Sequence, residues 1–503
     1  TEREAPMKKS SWAVGLGIAA VVVVAGVLGT SYYMGGKLEN EFKAQIDRLN
    51  SEQANQVTVV SYERGLFTST AQTQWSMQPW GIPGHAKVDH QITHGPLPAG
   101  SAAQVHSRVR IDSGNADTNQ ELLAALHGRP FMDVVSTFDW GSNSSHQLTS
   151  PELGFMHGQY GITWGGMKAD WSMTADLRSF KGTTENPSIT IKNEADGKLM
   201  TLGRTTTAFD LRSRPDITFW SGPFNMAVDN FAAESKGDEK THPSSFKLQN
   251  LAFDSDTIVK GETTELPLKL TVQSVQTDNF NGEAMVLEGV ARNLDTGWLN
   301  ESTEWIGQFN AAMTRRSLQI AKQALIGAEA DDEEIDTDVS AAMAGMPQLT
   351  PEMLARNPEL EIKRASIRTP EGVSEFSALV AYAENKEAPE NRLMNWKFDL
   401  KADVSKPMII KMMATKTRSA IVALMDSIKQ KYDPEEISQS VNRAMSQRLQ
   451  ALIVAGPFEE TADKLSTHIS MVDGETKVND KTIDMGAAVG MLLSMSNWWN
   501  SEH

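Results

Sequence analysis

From Val57 onward the apolar residues recur at every second position, and that period is met only by an extended backbone with one side turned to a core. Val57-Thr58-Val59-Val60-Ser61-Tyr62 predicts a first strand and Leu66 to Met77 a second. Glu63-Arg64-Gly65 is the turn between them, its Gly free to take positive φ. The alternation returns at Ile162 and Trp164, at Trp171, Met173, Ala175 and Leu177, at Ile189 and Ile191, at Leu266, Leu268, Leu270 and Val272, and at Met285 and Leu287. Each run predicts one apolar face against a core and one polar face towards water. Turn formers such as Asn193-Glu194-Ala195-Asp196-Gly197 and Asn279-Phe280-Asn281-Gly282 separate the runs. The span from Val57 to Ala291 therefore reads as an antiparallel, meander-like sheet.

Helical spacing follows. Trp305, Phe309, Met313, Ile320 and Ala324 share one face, Ala328 to Asp338 is an acidic linker, and Pro351 to Ala355 is a helical turn. Strands resume at Leu360 to Ile367, Phe376 to Tyr382 and Trp396 to Val404. A helical hairpin comes next. Its first helix, Met408 to Tyr432, has a seam of Met412, Ile421, Met425 and Ile428. Asp433 is the N-cap of the second, with Pro434 at its first position and Glu436 as capping acid. That helix buries Ile437, Val441, Met445, Leu449 and Leu452 and ends at Gly456-Pro457. Thr467 to Ile483 predicts a last hairpin around Asp473-Gly474, and Met485 to Trp499 an apolar terminal helix, packed on the body or lying on a membrane.

Ahead of all this stands Trp12 to Met34, an apolar run without a charged residue. As a helix it would extend roughly 34 Å at about 1.5 Å per residue, enough to cross a bilayer core. Lys8 and Lys9 precede it, Trp12 opens it and Tyr32 and Tyr33 close it, the pattern of a positive-inside anchor with interfacial rings. A cleaved signal peptide also has a basic start and apolar core, but Thr30-Ser31-Tyr32-Tyr33-Met34 lacks the small-x-small cleavage pattern. The expected organisation is a cytoplasmic N-terminus over 1–11, a transmembrane anchor over 12–34 and a helical stalk over 35–56. A β-rich periplasmic region over 57–299, a helical segment with the acidic linker over 300–358, and an α+β C-terminal region over 359–503 complete it. The fold class is thus α+β and β-dominated, on a single N-terminal membrane helix.

Composition excludes several functions. A net charge of -17 argues against a nucleic-acid surface, which needs clustered Lys and Arg. The absence of Cys removes disulfides, thiolate metal sites and a cysteine nucleophile. Nothing in the chain calls for a cofactor. No Gly-x-Ser-x-Gly elbow, His-Glu-x-x-His or phosphate loop occurs, so binding rather than catalysis is the expectation.

Several blocks resemble the YdgA-like family of bacterial inner-membrane-anchored proteins of unknown function. They are Met7-Lys8-Lys9-Ser10, Ser61-Tyr62-Glu63-Arg64-Gly65-Leu66-Phe67-Thr68-Ser69, Asp89-His90-Gln91-Ile92-Thr93-His94-Gly95-Pro96-Leu97-Pro98, Asn357-Pro358-Glu359-Leu360 and Thr369-Pro370-Glu371-Gly372. The resemblance implies a periplasmic location and self-association, and brings no catalytic residues. Val478-Asn479-Asp480-Lys481 departs from it, standing where an Asn-Gly turn is usual; Asp also tolerates positive φ, so the turn should survive.

Tyr62, Arg64, Phe67 and His94 are the candidate interaction surface, with Arg64 as a cation for an anionic head group or a partner. The plainer reading of Arg64 is a turn residue whose stem covers apolar surface. His90 and His94 would make a metal pair on a helix, but on a strand they lie about 13 Å apart. The acids Asp331 to Glu334 lack the Gly and ligand order of a calcium loop. The many Met and Trp residues read as core packing before a ligand groove. Two functions follow: an envelope scaffold or binding protein forming a homo-oligomer, or a carrier of lipid or another apolar envelope molecule on a sheet face. A single uncovered apolar face would favour the carrier.

Overall fold

The computed structural model describes residues 57–484 apart from 65–67, 77–83, 95–100, 158, 236–243, 279, 304, 306–339, 341–350, 384–394, 428–430, 456–457 and 473. The run Trp12–Met34, the stalk, the helical face from Phe309 to Ala324, the acidic linker and the terminal segment from Met485 lie outside the described residues. Among those described, no helix is long and apolar enough to cross a membrane. The chain is β-dominated, its paired strands are antiparallel, and it divides into two units. The first takes residues up to Ser245 and Gly297–Gln348, the second Phe246–Thr296 and the chain from Leu349. The division falls inside the 57–299 region that the period-two pattern presents as one.

In the first unit β1 (Val57–Arg64), β2 (Thr68–Ser76), β3 (His85–His94), β4 (Ala103–Asp112), β5 (Met132–Phe138) and β6 (Ser144–Ser150) form a plain meander. Beyond β6 the meander expectation fails. β7 (Leu153–His157) and β8 (Tyr160–Trp164) make an outlying hairpin, and β9 (Met167–Met173) returns to pair with β6. Gly166 permits the return: at φ +86° its position lies against Ser150, whose carbonyl oxygen would stand 2.5 Å from a Cβ. β10 (Ser179–Asn186) pairs with β9, whereas β11 (Ile189–Asn193) and β12 (Leu199–Leu202) extend the β7–β8 hairpin. β13 (Thr205–Arg212) pairs with β10, and β14 (Gly222–Ser235) joins β13 along its first half and β12 along its second. Ala175 and Leu177 are not strand residues. They lie in the turn after β9, where Leu177 has φ 56° and is exposed, so period-two spacing continued by chance past the strand end.

The inner face of β2–β6 is a closed core in which Val88, Val105 and Val134 are 0% exposed and Trp75 is 2% exposed. Trp164, Met167 and Trp171 pack against it. This core is partly polar. His90 shares hydrogen bonds with Thr73 Oγ1 at 3.0 Å and Ser107 Oγ at 2.9 Å. His146 does the same with Ser136 and Ser144, both at 2.8 Å, and stacks on Trp171 with ring centroids 4.9 Å apart. Burial lowers both imidazoles to about 4, a shift that the Asp89 charge offsets only in part at His90. The pattern gave no hint of α1 (Ala116–Ala125), which has no buried residue; its signal is Asn115, whose side chain accepts from the Asp117 and Thr118 amides at 2.9 and 3.1 Å.

The second unit is a true meander. β15 (Ser244–Lys260), β16 (Thr263–Thr277) and β17 (Asn281–Asp295) pair in order, as do β18 (Glu359–Thr369), β19 (Gly372–Tyr382) and β20 (Trp396–Ser405), with β17 paired to β18. The short α2 (Pro351–Leu354) precedes β18. Residues 296–303, which belong to the first unit but for Thr296, are helical, so that helix starts ahead of Trp305.

After β20 come α3 (Lys406–Ser427) and α4 (Pro434–Ala455), then β21 (Glu459–Glu460), β22 (Lys464–Val472), β23 (Glu475–Val478) and β24 (Lys481–Ile483). β22 pairs with β20 across the inserted helices. Asp433 accepts from the Glu435 amide at 2.9 Å, as an N-cap should. Val441, Met445 and Leu449 are buried, and Met413 and Ala414 meet the first two. Met412 is exposed, correcting its place on the seam, where Met413 is buried instead; Ile421 packs against the cluster as expected.

The last turn survives as expected. Asn479 and Asp480 have φ 48° and 64°, the two positive values of a primed hairpin turn. Asp480→Gly is therefore expected to stabilise the chain by about 0.5–1 kcal/mol, since Gly carries no Cβ penalty there. A lower melting temperature for this variant would show that the Asp side chain contributes more than the backbone strain removes.

Candidate functional site: the apolar face of the second sheet

Strand register lays out this face residue by residue. Leu268 stands opposite Gly289, Gly289 opposite Ile362, and the row continues through Ala378, Leu400, Ile469 and Val478. A parallel row runs from Phe253 through Leu270, Leu287, Ala365, Phe376 and Ala402. Irregular pairing in β18 between Ile362 and Ala365 keeps both rows on one side while Lys363 and Arg364 point elsewhere and stay exposed. The alternate positions carry charge. Lys363 lies 3.5 Å from Glu288, Arg364 2.8 Å from Glu375, and His468 3.0 Å from Asp399. These are solvated pairs, each contributing little to stability; elsewhere on the same side Val290 is 5% exposed, so that side is covered in part.

Burial distinguishes this sheet from the first. Phe253, Leu268, Leu270, Leu287, Ile362, Phe376 and Leu400 are all half-buried, and Leu360 in the adjoining row is 53% exposed. Full burial on this face is reached at Val272, at Tyr382 and again at Leu465, Ile469 and Val478. Among the described residues, the buried apolar cluster of this unit lies within the helical hairpin and not on the sheet. The chemistry on offer is hydrocarbon contact over several strands.

The residues named from sequence are dispersed. Tyr62 is half-buried against the core of the first unit, Arg64 is exposed at the end of β1, and His94 ends β3. Phe67, and Lys8, Lys9, Trp12, Tyr32 and Tyr33 of the expected anchor, lie outside the described residues. His90 and His94 sit on a strand, and His90 is spent on Thr73 and Ser107. Among the described residues no group of three potential metal ligands occurs.

The sequence profile of a bacterial protein family of unknown function, DUF945, matches residues 7–485. The chain belongs to that family. A Haemophilus influenzae relative, named "Uncharacterized protein", is 23% identical over 302 residues, covering 55% of this chain and 79% of its own. No solved structure matches the chain. The alternation at Leu266–Val272 was the signal for this face in the sequence; the half-burial of its side chains was not legible there.

Proposed function

We propose that this DUF945 protein binds a lipid, or an envelope molecule as apolar, on the half-buried face of its second sheet, and that it acts by binding rather than by catalysis. The carrying observation is the contrast between the two units: valines at 0% exposure in the first, half-buried leucines and phenylalanines across β15–β20 in the second. A contiguous apolar face of that extent is a binding surface by its chemistry. The Trp12–Met34 run, with Lys8 and Lys9 before it and Tyr32 and Tyr33 at its end, supports a single-pass inner-membrane anchor with the bulk in the periplasm, in keeping with the YdgA-like resemblance. Such an anchor would hold the sheet within reach of the bilayer that supplies its ligand.

Native mass spectrometry of the full chain released from detergent, with lipid extraction of the same sample, tests the reading. The expected result is co-purifying lipid in fixed stoichiometry. A lipid-free homo-oligomer would instead give the face to a second copy and make the protein a scaffold.

A further inference from the structure

We propose that the cavity where α3 and α4 meet the turn between β16 and β17 is a head-group pocket for an anionic amphiphile, an acyl chain ending in a phosphate or carboxylate. The proposal rests on the lipid-binding reading and adds the polar end of the ligand.

The cavity has a volume of about 650 Å³, within the range of small-molecule sites. Phe280, Ile410, Ala414 and Val441 supply apolar wall. Two cations and one acid, Asp278 of the turn, border it, and the cations are not equivalent. Lys411 is ion-paired with Glu371 and so already neutralised. Arg418 has no carboxylate within ion-pair distance among the described residues; its one hydrogen bond is a long one, Nη1 donating to Ser438 Oγ at 3.5 Å. A guanidinium with most of its donors unspent beside an apolar wall is suited to a phosphate or carboxylate. Anion at Arg418 and hydrocarbon along Ile410 and Phe280 together describe an amphiphile. Inorganic phosphate alone would leave the apolar wall empty.

The test uses the full chain in a non-ionic detergent, titrated with oleoyl-lysophosphatidylglycerol and with mono-oleoylglycerol, which has the same acyl chain and no phosphate. Native mass spectrometry reads the bound fraction. The wild type is expected to hold the phospholipid at least about tenfold more tightly, and Arg418→Ala to lose about that factor while its affinity for mono-oleoylglycerol stays unchanged. Arg418→Lys should recover part of the preference, because it restores charge without the planar fork. Equal binding of the two lipids by the wild type, or an Arg418→Ala variant that keeps the preference, would overturn the pocket and leave lipid binding on the sheet intact. Displacement of the phospholipid by an equal concentration of inorganic phosphate would overturn it too, in favour of a free-anion site. Binding of neither lipid would remove the underlying reading along with the pocket. A melting temperature for Arg418→Ala within about a degree of the wild type confirms that the fold is kept.

Discussion

Lowering the pH from 7 to 4 is expected to remove on the order of 5 kcal/mol of stability from the first unit. His90 and His146 are held neutral by burial, with imidazoles lowered to about 4 from an ordinary 6.5. Between those values the unfolded chain takes up protons that the folded chain refuses, so stability rises with pH through this window and is level above it. Each histidine contributes about 3 kcal/mol at the acid end. Asp112, whose carboxyl is lowered to about 2 chiefly by its hydrogen bond from Lys87, begins to lose its contribution near its ordinary 3.8, at the acid edge of the window, so the slope above about pH 5 is the one that reads the histidines. Thermal melts at half-unit pH steps read the effect. In His90→Gln the slope between pH 6.5 and 5 should fall by about half. A wild-type melting temperature constant over that range would mean that the imidazoles are charged or hydrated in the folded state.

Trp75→Ala should destabilise the chain by about 3–5 kcal/mol, whereas Leu270→Ala, a smaller truncation, should cost only about 1 kcal/mol. Trp75 is 2% exposed, and its Nε1 donates to Thr73 Oγ1 at 3.2 Å, so truncation opens a cavity and frees a buried hydroxyl that already serves His90. Leu270 is half-buried on an open face, where the lost contacts are partly replaced by water or ligand. Urea unfolding followed by fluorescence and by far-ultraviolet dichroism measures both. A loss at Leu270 of 3 kcal/mol or more would make that face a packed core and sink its assignment as a binding surface. The Leu270 variant should also carry less co-purified lipid at nearly unchanged stability.

Most strand positions were legible because local physics decides them. The runs at Leu266–Val272, Phe376–Tyr382 and Trp396–Val404 are strands in the structure, as alternation requires. The Asp433-Pro434 start of α4 follows from capping alone. Pairing order was less legible. That β9 returns to β6 depends on the close approach at Gly166, a contact between residues brought together only by the fold. The offset from Met412 to Met413 on α3 arose because both are apolar and only the partner helix decides which turns inward. His90 and His146 were invisible as core residues, since the hydroxyls that satisfy them come from other strands. The site followed the same rule: alternation marked the apolar residues of the second sheet, and their half-burial is a property of layers rather than of strands.

The order in which the two units share the chain has a consequence for biogenesis. β17 ends at Asp295 and its neighbour β18 begins at Glu359, a gap of 63 residues, most of them in the other unit. At the roughly 5–20 residues per second of synthesis, the edge of β17 stays without that partner for several seconds as the chain emerges. An unpaired edge in a half-made sheet is a template for pairing with another chain. Synthesis of this chain therefore includes an interval of exposed hydrogen-bonding edge, and a holding factor for extended segments would act to greatest effect between the arrival of β17 and that of β18.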